Sequence, residues 1–282
     1  MVGRVRGFTL VETLIAMVLS SVVILLVSHS FLVQNRFYAT QTIRTSVQDN
    51  ARAATELMGR EVRTAMEGGV VVAAAGTLTI RSPLALSVVC NRDGIGSADV
   101  YTEGGESDLD TDEIAGIAHR DPVAGTWTAV NASWSTLNGT SGDPAGECAI
   151  NGADTLDVAG AFHRIANLNT LFSPVPAEGD VVMLFRETTF AIQTSELDPS
   201  TLGIFRAAYG DSLVEFATGV DTTAQFQYRT VGGTYVDVVT GAALAQIDAL
   251  RLVADARKPA PTGGVDDITF GWSVNVPLRV VR

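Results

Sequence analysis

The chain has 282 residues, 46% hydrophobic and 18% charged, a balance that excludes a disordered polymer and suits one substantial domain with an appendage, or two small domains. Nineteen basic residues against 31 acidic ones leave a net charge of −12, so no clustered Lys and Arg footprint exists for gripping a phosphate backbone, and nucleic acid is not an expected partner. The two cysteines cannot supply a four-ligand zinc site between them, and no Cys-x-x-Cys pair is present.

Residues 1–7 read Met-Val-Gly-Arg-Val-Arg-Gly, with Arg4 and Arg6 and no acid. Residues 8–33 are almost wholly apolar, and Glu12 is their single formally charged side chain. As a helix rising about 1.5 Å per residue, this stretch is roughly 39 Å long, enough to cross a hydrocarbon core of about 30 Å. The positive-inside rule keeps the basic flank in the cytoplasm and sends the remainder outside. Without Arg4 and Arg6 the remainder holds 17 basic and 31 acidic residues, a net charge of −14. A secretory signal peptide has an apolar core of only about 7–15 residues and a small-residue cleavage site. Here the core is longer, and Val27-Ser28-His29-Ser30-Phe31-Leu32-Val33 is a poor match for such a site. An uncleaved anchor explains the length but leaves Glu12 unexplained, since an ionisable group in a membrane segment costs about 2.5–3.5 kcal/mol or more.

The hexapeptide Gly7-Phe8-Thr9-Leu10-Val11-Glu12, placed after a short basic leader and opening an apolar helix, resembles the class III signal of type IV prepilins. The resemblance implies cleavage between Gly7 and Phe8 by a prepilin peptidase on the cytoplasmic side, with methylation of the new Phe8 amine. A residue without a Cβ at position 7 lets the peptidase approach the backbone closely. The resemblance also implies that the Glu12 carboxylate pairs with the N-terminal amine of a neighbouring subunit during assembly, relieving its desolvation cost.

No proline or glycine interrupts residues 8–58, and the first proline is Pro83. Val47, Ala51, Ala54, Met58, Val62 and Ala65 recur at spacings of four and three, the face of a continuing amphipathic helix. The spacing predicts one helix from residue 8 to about residue 67, with Gly68-Gly69 as its C-cap. Such a rod is roughly 90 Å long and cannot bury itself within one monomer. Asn50-Ala-Arg-Ala-Ala-Thr-Glu-Leu-Met-Gly-Arg-Glu-Val-Arg-Thr-Ala resembles the neck of PilW-like minor pilins and of J-type minor pseudopilins of type II secretion. Many major pilins carry a proline two-thirds along the apolar segment, whereas His29 stands there in this chain.

From Val70 the pattern changes to period two. Residues 70–80 read as two short strands turning at Gly76, and residues 225–239 as a hairpin turning at Gly232-Gly233. Residues 181–185, 203–207, 249–254 and 269–276 read as further strands. The expected fold is α+β: a long N-terminal helix, transmembrane in its first half and amphipathic in its second, packed on a mostly antiparallel sheet. The expected organisation is a leader at 1–7, a transmembrane and assembly helix at 8–33, a neck at 34–68 and an exported β-rich head at 69–282.

Cys90 and Cys148 bracket a long glycine- and acid-rich insertion. In an oxidising compartment they form a structural disulfide, worth up to about 4 kcal/mol in the chain-entropy account. Residues 93–121 hold nine acids against one base. Within them Asp108, Asp110 and Asp112 alternate as at the start of a calcium loop, but Glu113 stands where the tight-turn glycine belongs and His119 where the bidentate glutamate belongs. A solvated acidic loop is the expectation, with weak calcium ligation as its alternative, and no cofactor is otherwise expected. The histidines are His29, His119 and His163, and no Gly-x-Ser-x-Gly, His-Glu-x-x-His, phosphate-loop or dinucleotide glycine pattern occurs. No enzyme is expected. Trp127, Trp134 and Trp272 read as sheet-packing residues, with a glycan or adhesive surface as the alternative.

The resemblance therefore implies a minor pilin or pseudopilin at or near the tip of a type IV pilus-like fibre, priming its assembly. Its expected partners are a prepilin peptidase, other minor and major pilins or pseudopilins, the inner-membrane assembly platform, and membrane lipid before assembly. Its expected location is the inner membrane, single-pass with the head outside, and then the fibre. A membrane-anchored adhesin or surface-binding module using the prepilin pathway is the alternative function. Pilus, type II secretion and DNA-uptake machines are not told apart.

Overall fold

A computed structural model of the chain describes residues 9–92, 98–102, 113–121, 123, 125–132, 134–136, 161–165, 172–258 and 268–278. Leu10–Arg63 form one unbroken helix, α1, of 54 residues, about 80 Å long at about 1.5 Å per residue. The absence of proline and glycine over nearly all of its length permits this, and Gly59 is tolerated because it lies against the sheet. Its first half projects alone: Leu10–Thr42 is long and apolar enough to span a membrane, and none of it is buried within the chain. Its second half is core. Ala51, Ala54, Met58 and Val62 are buried, as is Ala65 just beyond, so the periodic stripe read from the sequence faces the sheet. The side chain of Val47, the stripe's first member, is outside the described set.

The helix ends earlier than the sequence suggests. Thr64 caps it, its N–H donating to the Glu61 carbonyl at 3.0 Å and its hydroxyl to the same oxygen at 2.7 Å. Gly68-Gly69 is therefore not the C-cap. By Met66 the backbone has already left the helix and donates to the Arg81 carbonyl at 2.9 Å. Gly68, at φ +65°, makes the turn into the sheet, while Gly69 lies so close to the Arg81 and Met66 carbonyls that a Cβ has no room. Pairing with a strand outcompetes one more helical turn.

The strands are β1 (Val70–Ala74), β2 (Thr77–Arg92), β3 (Ala98–Thr102), β4 (Gly116–Arg120), β5 (Trp127–Asn131), β6 (Trp134–Thr136), β7 (Ala161–Ile165), β8 (Val181–Thr194), β9 (Leu202–Ala208), β10 (Val214–Val220), β11 (Gln225–Thr230), β12 (Tyr235–Val236), β13 (Ile247–Lys258) and β14 (Ile268–Pro277). Among the described residues they form one antiparallel sheet in the order β12-β11-β13-β10-β9-β8-β2-β3-β7-β6. β1 adds to β2, β14 to β13, and the β4–β5 hairpin to β8. The expected strands near 70–80, 181–185, 203–207, 225–239, 249–254 and 269–276 are all present, several of them longer than read.

Three differences have local causes. β2 runs through Pro83, a residue expected to stop a strand. Its register on β8 shifts between Pro83 and Ala85, so the proline occupies an irregularity where its missing N–H breaks no ladder bond. The stretch between the cysteines is not a bare insertion, since it supplies β3, β4, β5 and β6. Their shortness, three to five residues each, hid them among glycines and acids. β10 was missed because its pairing with β9 is irregular at two places and Gly219 sits at φ +79°.

The main core lies between α1 and the sheet. Met58 and Val62 join Leu78, Ile80, Phe190, Ile204, Phe226, Tyr228, Leu252 and Val276, all essentially inaccessible to solvent. Tyr228 is buried on β11, and its hydroxyl, shared as a donor, reaches the Ala74 carbonyl at 2.9 Å and that of Thr77 at 3.1 Å, which ties the β1–β2 turn to the sheet. The neck is also fixed by charge: Arg206 Nε of β9 donates to both carboxylate oxygens of Glu61, at 2.9 and 3.1 Å. A second cluster joins Val89, Val100, Ile117, Phe172, Val182 and Leu184 beyond the helix end.

Candidate processing and assembly site

Gly7 and Phe8, the residues of the expected cleavage, lie outside the described residues, which begin at Thr9. The segment immediately after it is described. Thr9 is extended (φ −81°, ψ 148°), and its Oγ1 accepts from the Glu12 N–H at 3.3 Å. Thr9 is therefore the N-cap of α1 and Glu12 the third residue within it, the T-x-x-E spacing of a capping box. The sequence reading missed this cap, although the spacing was its signal. An acidic side chain in the first turn is also favoured by the partial positive charge of the helix N-terminus. The Glu12 side chain is exposed, and among the described residues its carboxylate has no hydrogen-bond or ion-pair partner. Around it Leu10, Val11 and Leu14 are exposed, Leu10 to 80%. One carboxylate thus stands at the start of a solvent-free-seeking surface that the chain itself does not cover.

A cleft of the head brings a histidine and acidic groups together. His119 of β4, 4% exposed, points Nε2 at Asp180 Oδ2, 3.3 Å away, and meets Phe172 edge-on at 6.0 Å. Asp180 Oδ2 also accepts from the Ala177 N–H at 2.7 Å. With Arg120, Asp121, Gly125 and Val181 these two residues line an open space of about 330 Å³. Among the described residues no serine, threonine or cysteine lines it. His119 is held in place by Asp180 and Phe172. A second polar cluster is equally structural. Arg81, over the Phe185 ring at 4.9 Å, donates to Glu187 at 3.2 Å, to the Ala129 carbonyl at 3.0 Å and to Asn131 at 2.6 Å, stitching β2, β8 and β5 together.

The remaining candidates divide by place. Trp127 is half-buried and packs against Met66, Ala115, Ala118 and Phe185, as a sheet-packing residue does. Trp134, His163 and Trp272 lie on β6, β7 and β14, and only their backbones belong to the described set. Asp108, Asp110 and Asp112 fall outside it, and among the described residues no group of three or more His, Cys, Asp or Glu is arranged to hold a metal. Cys90 is buried near the end of β2, whereas Cys148 falls outside the described residues.

The profile of the prokaryotic N-terminal methylation motif matches residues 3–28, taking in Gly7, Phe8, Glu12 and most of the apolar segment. No curated protein and no solved structure matches the chain. The motif implies processing by a prepilin peptidase and assembly with other pilins, and with the apolar N-terminal helix it fits membrane anchoring of an exported head. In its N-terminal segment the chain is type IV prepilin-like.

Proposed function

We propose that this chain is a minor pilin or pseudopilin that sits at or near the tip of a type IV pilus-like fibre and primes its growth. One observation carries the reading: the methylation motif at 3–28 opens a single uninterrupted helix whose far half is built into the core of a large β-sheet head. Pull on the apolar half is thereby transmitted to the head without a flexible joint. A head of more than two hundred residues is bulky for a subunit repeated along a shaft and is accommodated where only one copy is needed. The tip neighbours in this reading are other minor pilins or pseudopilins, with the major subunit beneath and the inner-membrane platform driving addition. The head faces away from the cytoplasm, where Cys90 and Cys148 pair as a disulfide. No cofactor is required.

The test has two parts. Intact-mass and N-terminal analysis of protein from its native membrane should give a chain beginning at N-methylated Phe8. Gold labelling of the head in isolated fibres should then decorate fibre ends, and deletion of the gene should reduce fibre number rather than fibre length. Labelling along the whole shaft would overturn the tip position. A chain retaining Met1 in the presence of the peptidase would overturn the pilin reading and leave an anchored surface-binding protein.

A further inference from the structure

Glu12 is not alone among the ionisable groups of the apolar half of α1. His29 stands between the apolar runs 22–27 and 31–33, its side chain is exposed, and among the described residues it has no hydrogen-bond or ion-pair partner. Seventeen residues separate it from Glu12, about 25 Å along the helix and about 100° around it, so the two cannot meet within one chain. In a membrane this costs little. His29 lies about 30 Å from Thr9, level with the outer edge of the hydrocarbon core, where an imidazole stays hydrated. In a bundle of packed helices the apolar runs on both sides exclude water from it, and the ring N–H then needs an acceptor.

We propose that His29 is an inter-subunit contact of the assembled bundle, donating to the carboxylate that a parallel prepilin-type helix carries at the position of Glu12, the two helices being staggered by about 25 Å. The inference rests on the pilin reading above. Charge complementarity selects the occupant. Between Thr9 and Gln48 this chain has one acid, Glu12, so a parallel helix of the same design offers His29 one carboxylate and no other. That carboxylate has capacity for it: two oxygens accept a neighbour's N-terminal amine and an imidazole together.

The experiment uses the full chain in its own host. A benzophenone amino acid at position 29 is activated in isolated fibres and its adducts are mapped by mass spectrometry. The expected adduct lies in the first turns of another prepilin-type helix, residues 9–16 here or their counterpart in another subunit. Beside it, His29→Leu should insert and be cleaved after Gly7 normally, yet enter fibres about three- to fifteenfold less. His29→Gln, which retains an N–H donor, should recover most of that loss. Adducts confined to lipid or to the middle of neighbouring helices, or wild-type incorporation of His29→Leu, would overturn the pairing. Failure of cleavage after Gly7 in the unaltered chain overturns the pilin reading itself, and the pairing with it.

Discussion

At the scale of single residues, Glu12 and Tyr228 represent two opposite fates of a polar group. Glu12 is placed by its own backbone, whose N–H the Thr9 hydroxyl caps, while its exposed carboxylate meets no partner among the described residues. Removing that carboxylate leaves every described contact of the head intact. Glu12→Ala should therefore strongly reduce incorporation into fibres while the melting temperature of the detergent-solubilised chain stays unchanged. Normal incorporation in a fibre pull-down would remove Glu12 from the assembly contact. Tyr228, by contrast, is satisfied entirely inside, and burial pushes its hydroxyl far above the ordinary value of 10.0. The sign follows from linkage: the unfolded tyrosine ionises near pH 10 while the folded one stays neutral, so its contribution is complete below that pH and declines above it. Tyr228→Phe leaves the Ala74 and Thr77 carbonyls without that donor and should cost about 1–3 kcal/mol at neutral pH. Thermal melts between about pH 8 and pH 11 should show the wild-type advantage over the variant shrinking above pH 10. An advantage independent of pH would mean that the hydroxyl is not buried as described.

At the scale of elements, the β4–β5 hairpin depends on a close approach. A Cβ on Gly116 would collide with the Val130 carbonyl and the Phe185 ring, and lie 2.9 Å from the Asn131 Cα. Two of these three are backbone and cannot swing away. Gly116→Ala should destabilise the head by about 1–3 kcal/mol or more, read as a melting point lower by several degrees with the helical circular-dichroism signal of the folded chain unchanged. A neutral substitution would show that the hairpin slides freely on β8. The same hairpin marks the boundary of what the sequence disclosed. The long elements were legible because their periodicity repeats: four of the five stripe residues whose burial is described lie within α1, and the strands around Leu252 and Phe226 alternate cleanly. Gly116-Ile-Ala-His-Arg does not alternate, because four of its five residues are buried on one or the other face. Its place beside β8 is set by residues 63 or more positions away, and local pattern carries no such information. The N-terminal site was legible for the reverse reason. It is a linear signal, complete in six residues, and it needs no fold to be read.

For the whole molecule, the question is where the head begins. A division at residue 69 separates the sheet from the helix by sequence character, but the packing crosses that line. Ala54, Met58, Val62 and Ala65 fill the centre of the main core, and Arg206 is paired to Glu61 across it. Cutting at residue 69 would open the faces of Leu78, Ile80, Phe226 and Leu252 to water, and burial of Met58 alone is worth about 2–5 kcal/mol by the cost of truncating such a side chain. Against a net domain stability of about 5–15 kcal/mol, losing Met58 together with Val62, the two alanines packed beside them and an ion pair removes a large share of it. A chain starting at residue 48 keeps all four, drops the exposed apolar half and should be soluble, with a single cooperative melt. A chain starting at residue 69 should aggregate or melt without a transition. Equal melts for the two would mean that the neck only rests on the sheet, and the head would then be free to turn about its helix instead of moving with it when the fibre grows.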